Sequence, residues 1–303
     1  SYTGNMNLPL ENRYELYPSF GAAWIISEES FLADNEFVDF LKLRAEYGTM
    51  GTFNNNNTFL YRTEFIRSGN VGFGNSTELK NENLPVTQLL QYGNQNLKFG
   101  TIIDKNIGID ARFLNSRLGL EINYYDMLKT GLITQSLVPG IIGTPALWDN
   151  NNENRYYGID GNITWTDQIS DLNYSLSINY GINKSKIVKI NQITYEEEWL
   201  NREGDPTDGL YGFEALGLFQ SEEEIINSPV QYLGQTSVGN VKYNDLNNDG
   251  AVDNIKDTKL IGNSYPTYKF GAVFNLSYKD FGFYAVGVGY YDMDVNIRTN
   301  PYF

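Results

Sequence analysis

The sequence predicts an all-β fold, a transmembrane antiparallel up-and-down β-barrel, on three observations. Leu172 to Tyr180 alternates strictly: Leu172, Tyr174, Leu176, Ile178 and Tyr180 fall on one face, Asn173, Ser175, Ser177 and Asn179 on the other. A period of two sorts a strand into opposite faces, and such a stretch reaches roughly 30 Å, about one hydrocarbon core once tilted. The same alternation recurs along the chain. The connections between the alternating stretches are short and long by turns, which puts every short turn at one end. Membrane barrels do this by rule, whereas Greek-key sandwiches have no reason to.

Taken in order, Phe20, Ala22, Trp24 and Ile26 form the first apolar face, and Ser27 to Val38 is a short connection with a helical turn at Glu28 and Glu29. Leu41, Leu43, Ala45 and Tyr47 alternate with Lys42, Arg44 and Glu46. Charges in succession on one face require that face to be wet. Gly48 to Gly100, rich in Gly and Asn, reads mainly as loop, with a short strand over Thr58–Ile66. Ile107–Phe113 and Leu118–Tyr124 form a hairpin about Asn115 and Ser116. A second long loop, Met127 to Arg155, leads to the face of Tyr157, Ile159, Ile163 and Trp165. A short turn over Thr166–Asp171 precedes the opening stretch. The longest connection, Gly181 to Pro266, leads to Tyr268–Tyr278, a tight turn at Lys279-Asp280, and a return strand from Phe281 to Tyr290. Leu172, Leu176, Ile178, Phe270 and Phe274 are expected to face lipid, and Lys42, Ser175, Ser177 and Asn275 the lumen.

Composition narrows the function. Aromatic residues make up 15% of the chain and include 23 Tyr, the residue expected where an apolar surface meets water. The formal charge of −15 excludes nucleic acid as a partner. The chain has no His and no Cys, which removes Ser-His-Asp triads, thiolate chemistry and a disulfide framework. No apolar run is long enough for a transmembrane helix, and no leader peptide opens the sequence, as expected of a mature chain or a fragment.

The sharpest local motif is Asp245 to Asp253. Asp245, Asn247 and Asp249 take positions 1, 3 and 5 of a calcium loop, Gly250 permits the turn, Ala251 would offer its carbonyl and Asp253 falls at position 9. Position 12 is Lys256, and the acid is displaced to Asp257. An oxygen-only set suits Ca2+; a solvated Asx-turn is the competing account. The runs Glu196–Glu198 and Glu222–Glu224 read as solvated faces, the second as a helix start with Ser221 as N-cap, so no catalytic residue is assigned. Trp148, Tyr156, Tyr157 and Tyr211 could stack on a sugar or pack within loops.

Several strings resemble SusC/RagA-type TonB-dependent transporters. They are Tyr17-Pro-Ser-Phe-Gly-Ala-Ala-Trp24, Leu41-Lys-Leu-Arg-Ala-Glu-Tyr-Gly48, Asn106-Ile-Gly-Ile-Asp110, Gly212-Phe-Glu-Ala-Leu-Gly-Leu-Phe219, Val241 to Gly250 and Ile261-Gly-Asn-Ser-Tyr-Pro266. They occur in that family's order and cover most of the chain. The resemblance implies that residues 1–303 are the C-terminal part of one large plugged barrel, with the plug and leader outside this sequence. The order of short and long connections makes the segments at about 48–100, 128–155 and 182–266 the external loops, and the resemblance implies the bacterial outer membrane. It also implies energised import of a nutrient, an oligosaccharide first and a peptide second. The implied partners are a SusD-like surface lipoprotein, the TonB-ExbB-ExbD complex and outer-membrane lipid. A passive porin and a secreted glycan hydrolase on a β scaffold are the alternatives.

Overall fold

The computed structural model describes residues 1–32, 35–54, 57–72, 83–137, 147–295 and 297. Eight strands form one antiparallel sheet in which neighbours in sequence are neighbours in space. They are β1 (Ser19–Ile25), β2 (Val38–Thr52), β3 (Gly100–Phe113), β4 (Leu118–Gln135), β5 (Trp148–Ile169), β6 (Leu172–Lys189), β7 (Tyr268–Tyr278) and β8 (Phe281–Tyr291). This is the up-and-down order that the alternation of connections predicts. The tight turns carry left-handed backbone at Leu114, Asn115 and Ser116, at Ser170, and at Lys279.

The register fixes the faces. Ile178 pairs with Ile163 on one side and Ala272 on the other, and Ser177 pairs with Thr164 and Val273. Leu43 pairs with Trp24 and Ile109, and Arg44 with Ala23 and Gly108. One face is therefore apolar from strand to strand, and its large side chains stand free of other protein: Phe20 is 72% exposed, Ile107 59% and Phe270 56%. A contiguous apolar surface of that extent is a lipid-facing belt rather than the outside of a soluble sandwich.

The strands overrun the expected loops. β5 has 22 residues, and β4 and β6 have 18 each, whereas about 9–11 cross a membrane. The expected loop over 128–155 is strand up to Gln135 and again from Trp148, and β2 runs on to Thr52. The overrun lies beyond the belt, where one face no longer meets lipid, so polar residues such as Asn150 to Asn154 stand beside apolar ones such as Ile133 and Trp148 that pack within the protein, and the strict alternation lapses. Pro139 and Pro145 lie outside the described residues, as does Phe303.

Two folded units sit at the long-connection end. Leu8, Tyr17, Leu60, Leu97, Phe99 and Ile133 form a buried cluster, with Phe53 and Trp148 packed against it. It binds the segments before β1 and after β2 to the overrun of β4 and β5. Asn54 clamps Ile133, donating to its carbonyl at 3.2 Å and accepting its N–H at 2.8 Å. A strand expected over Thr58–Ile66 forms later, as a hairpin of Glu64–Gly72 with Asn83–Gln91. The longest connection is itself folded. It pairs Gly209–Gly212 with Lys259–Asn263 and Ala215–Leu218 with Val241–Tyr243. A short helix, Glu222–Ile226, starts at Ser221, whose hydroxyl accepts the Glu224 N–H as expected of an N-cap.

Candidate functional site: the polar inner wall, a rim cleft and the acidic loop

The inner face carries clusters of hydrogen-bonded side chains that span neighbouring strands. Arg44 on β2 grips Asp110 on β3 through Nε at 3.1–3.2 Å and Nη2 at 3.0 Å, and reaches Glu121 on β4 at 3.3 Å. It also donates to Asn123, whose amide donates to Asp160 on β5 at 3.1 Å. Lys42 lies 3.7 Å from Asp110. Further along, Thr164 and Ser177 hydroxyls meet at 2.8 Å, Asn162 donates to Ser177 at 3.0 Å, and Asn275 donates to Ser175 at 3.2 Å. The side chains expected to face the lumen thus share one face and bridge neighbouring strands. Guanidinium–carboxylate bonds of this bidentate kind hold both partners in fixed geometry, so the wall presents an ordered array of dipoles to whatever passes it.

A cleft of about 900 Å3 opens at the rim. It forms because β7 pairs with β6 only as far as Tyr268 opposite Ile182, while β6 continues to Lys189. Tyr125, Tyr156 and Asn183 enter it from the wall, and Asp208, Asn263 and Tyr265 from the folded connection. The Tyr125 hydroxyl donates to Asn183 at 2.6 Å. Lys129 Nζ sits 4.7 Å from the Tyr156 ring centre. Of the four aromatics named from the sequence, Tyr156 and Tyr157 reach this cleft. Trp148 packs on the buried cluster, and Tyr211 donates to Asp205 at 2.8 Å beneath Arg202. Burial, and then that bond to Asp205, raises the Tyr211 pKa. Tyr125, Asn183 and Tyr265 are additions that sequence reading missed. Tyr125 follows Tyr124 at the end of an alternating run, and that position was the available signal.

The acidic loop is tightly wound. Asp245 accepts the N–H of Gly250 at 2.9 Å and of Asp249 at 3.3 Å, and Asn247 Oδ1 also accepts from Asp249 at 3.2 Å. Asp249 accepts the Ala251 N–H at 3.1 Å and the Asn247 amide at 2.8 Å. Lys256, the residue that departs from the calcium pattern, brings its ammonium to 3.3 Å from Asp249. The Asn247 amide, then Lys256, hold the exposed Asp249 carboxyl below the usual carboxylate range. Asp253 caps the next turn, accepting from Ile255 and Lys256 at 2.7 and 2.8 Å. Asp257 is 1% exposed and spends both oxygens on the backbone, accepting from Leu246 and Asp253 at 2.8 Å each. Among the described residues no three acidic side chains converge as metal ligands. What this loop gathers is two carboxylates, an amide oxygen and the Ala251 turn, an oxygen set compatible with a hard cation.

A belt facing lipid, an ordered polar wall behind it and folded connections at one end define a wall segment of a membrane-spanning β-barrel. The chain is 31% identical over 290 residues to TonB-dependent receptor P26 of Formosa agariphila, covering 91% of this chain and 28% of that relative. It is 26% identical over 196 residues to TonB-dependent receptor SusC of Bacteroides thetaiotaomicron, covering 62% of this chain and 19% of SusC. The fold superposes on the RagAB peptide importer in its open-open state with a TM-score of 0.71 at 18% identity, over 95% of this chain and 30% of the other. The closed-closed state gives 0.69. No protein-family model matches the chain. These relatives identify the chain as SusC/RagA-like, a stretch of TonB-dependent receptor barrel, as its motifs predict. The chain spans about three tenths of the length of the curated relatives it matches over nearly its whole length.

Proposed function

We propose that this chain forms part of the wall of an outer-membrane importer energised through TonB-ExbB-ExbD and served by a SusD-like lipoprotein at its external end. The observation that carries the reading is the polar inner face running from Lys42 to Asn275, whose groups suit a hydrated solute. The long folded connections support an external position for that end of the barrel, with the segments 48–100, 128–155 and 182–266 outside the cell. The proposed cargo is an oligosaccharide, supported by tyrosine rings and amides at the rim cleft, which offer stacking and hydrogen bonds together. RagAB's cargo, a peptide, is the rival. Uptake of labelled oligosaccharide by cells with and without TonB tests the mechanism. Uptake that persists without TonB indicates a passive porin, and release of cleaved sugar indicates a hydrolase.

Sidedness has its own test. A tag inserted at Asn152 is expected to bind antibody on intact cells, and one at Asn115 only after permeabilisation. The reverse pattern inverts the topology.

We further propose that the loop of Asp245, Asn247, Asp249 and Ala251 takes up Ca2+ by displacing the Lys256 ammonium, and that the ion orders the external segment without doing chemistry. A divalent ion offsets the repulsion of neighbouring carboxylates more fully than one lysine. Asp249→Ala is expected to abolish calcium uptake in calorimetry of the full-length protein while leaving heat-stable barrel migration unchanged. A wild-type loop that stays metal-free in millimolar calcium defeats this proposal.

A further inference from the structure

The outward face changes character at the end of the apolar belt nearest the folded connections. Its last apolar row is Tyr124, Ile159, Ile182 and Tyr268. The next outward row reads Lys105, Asp126, Tyr157 and Lys184, and the row beyond it Leu128, Arg155 and Lys186. Four cations stand there beside one carboxylate, in a chain whose formal charge is −15. That carboxylate is already engaged: Arg155 grips Asp126 through two bonds of 2.8 and 2.6 Å. Lys105, Lys184 and Lys186 are exposed and form no salt bridge among the described residues. Lys186 lies directly across from Arg155, Lys184 about 7 Å along the same face, and Lys105 roughly 14 Å away across three strand spacings. At the opposite rim the balance differs, since Arg117 meets Asp167 at 3.2 Å.

We propose that this band binds the phosphorylated headgroups of the membrane lipids whose tails cover the belt. The inference rests on the belt facing lipid. If tails pack against Ile159 and Ile182, headgroups stand at the height of the next two rows, where surplus cations meet them. An ammonium on a long stem can follow a mobile phosphate as a point charge, and each basic residue near an anionic lipid surface adds appreciable attraction. Tyr157, between Asp126 and Lys184, carries the Arg155 guanidinium 5.2 Å from its ring centre, and with Lys184 it also borders the rim cleft where that cleft meets the outward face. The shared row also explains why basic residues collect on an outward face that is otherwise apolar.

The test uses the full-length protein reconstituted in phosphatidylcholine bilayers, with spin-labelled phosphatidic acid and spin-labelled phosphatidylcholine as probes. Wild type is expected to restrain phosphatidic acid preferentially, and added salt to weaken the preference. Replacing Lys105, Lys184 and Lys186 together by Gln is expected to remove most of it, up to roughly fivefold for each cation lost. Heat-modifiable migration checks that the variant barrel is folded. Equal restraint of both probes by wild type, or an unchanged preference in the folded triple variant, overturns the proposal. Wild-type protein that fails to enter the bilayer overturns the lipid-facing belt itself, which separates the two failures.

Discussion

Ile178→Arg is expected to cost roughly 2–4 kcal/mol of barrel stability and to leave much of the protein unassembled. Ile178 sits near the middle of the belt stretch of β6, between Leu176 and Tyr180 on the outward face, and is 40% exposed to what is here hydrocarbon. A guanidinium at that depth has no water and no carboxylate on its own face, because its row neighbours are Ile163 and Ala272. Snorkelling to the interface shortens the penalty without removing it. Ser177→Arg is the control. It points inward, where Asn162 and Thr164 surround it, and it should cost much less. Urea unfolding in liposomes, followed by heat-modifiable migration, measures both. If Ser177→Arg proved the more damaging, the assignment of faces would be reversed.

Asp257→Ala is expected to have the largest effect outside the barrel. Asp257 is, like Phe219 and Val252, one of the fully buried side chains of the described residues. Its two oxygens tie the start of the acidic loop, at Leu246, to its later turn, at Asp253. Removing them leaves two backbone N–H groups without acceptors, at roughly 1–3 kcal/mol each, in a unit with few other buried groups. Asp257→Asn keeps one acceptor and presents an amide donor to the other N–H, so it should be nearly as harmful. Hydrogen exchange should show both substitutions loosening residues 245–257, while β4 to β6 keep their protection. Unchanged exchange at Leu246 and Asp253 would refute this stapling role.

The faces of β1 to β8 were legible because lipid imposes a rule that the sequence must obey residue by residue. Along β6, any polar side chain out of phase would be stranded in hydrocarbon. Above the belt that rule lapses. Asn150 to Arg155 pair with β4 across two register shifts, and no lipid demands a pattern there, so they read as loop. Asp257 illustrates a second limit. Its position one residue late in a calcium-like spacing is visible in the sequence, but its service to the backbone depends on a fold that brings Leu246 and Asp253 together. The Lys256–Asp249 pair is of the same kind: the spacing marks the departure from the pattern, and only geometry shows where the ammonium goes. Sequence likewise named Tyr156 and Tyr157 without their context, because the cleft exists only where β7 stops short of β6.

The overrun of β4, β5 and β6 also fixes a length for something outside this chain. From the row of Tyr157 to Trp148, β5 climbs roughly 20–25 Å at strand rise and barrel tilt. A capping lipoprotein of the proposed kind, with its acyl chains in the same bilayer, would meet the rim at that height rather than at the membrane surface. The leash between its lipid and its first folded residue would then need at least about seven extended residues. A shorter leash would hold the cap below the rim, and a longer one would let it swing clear while still anchored.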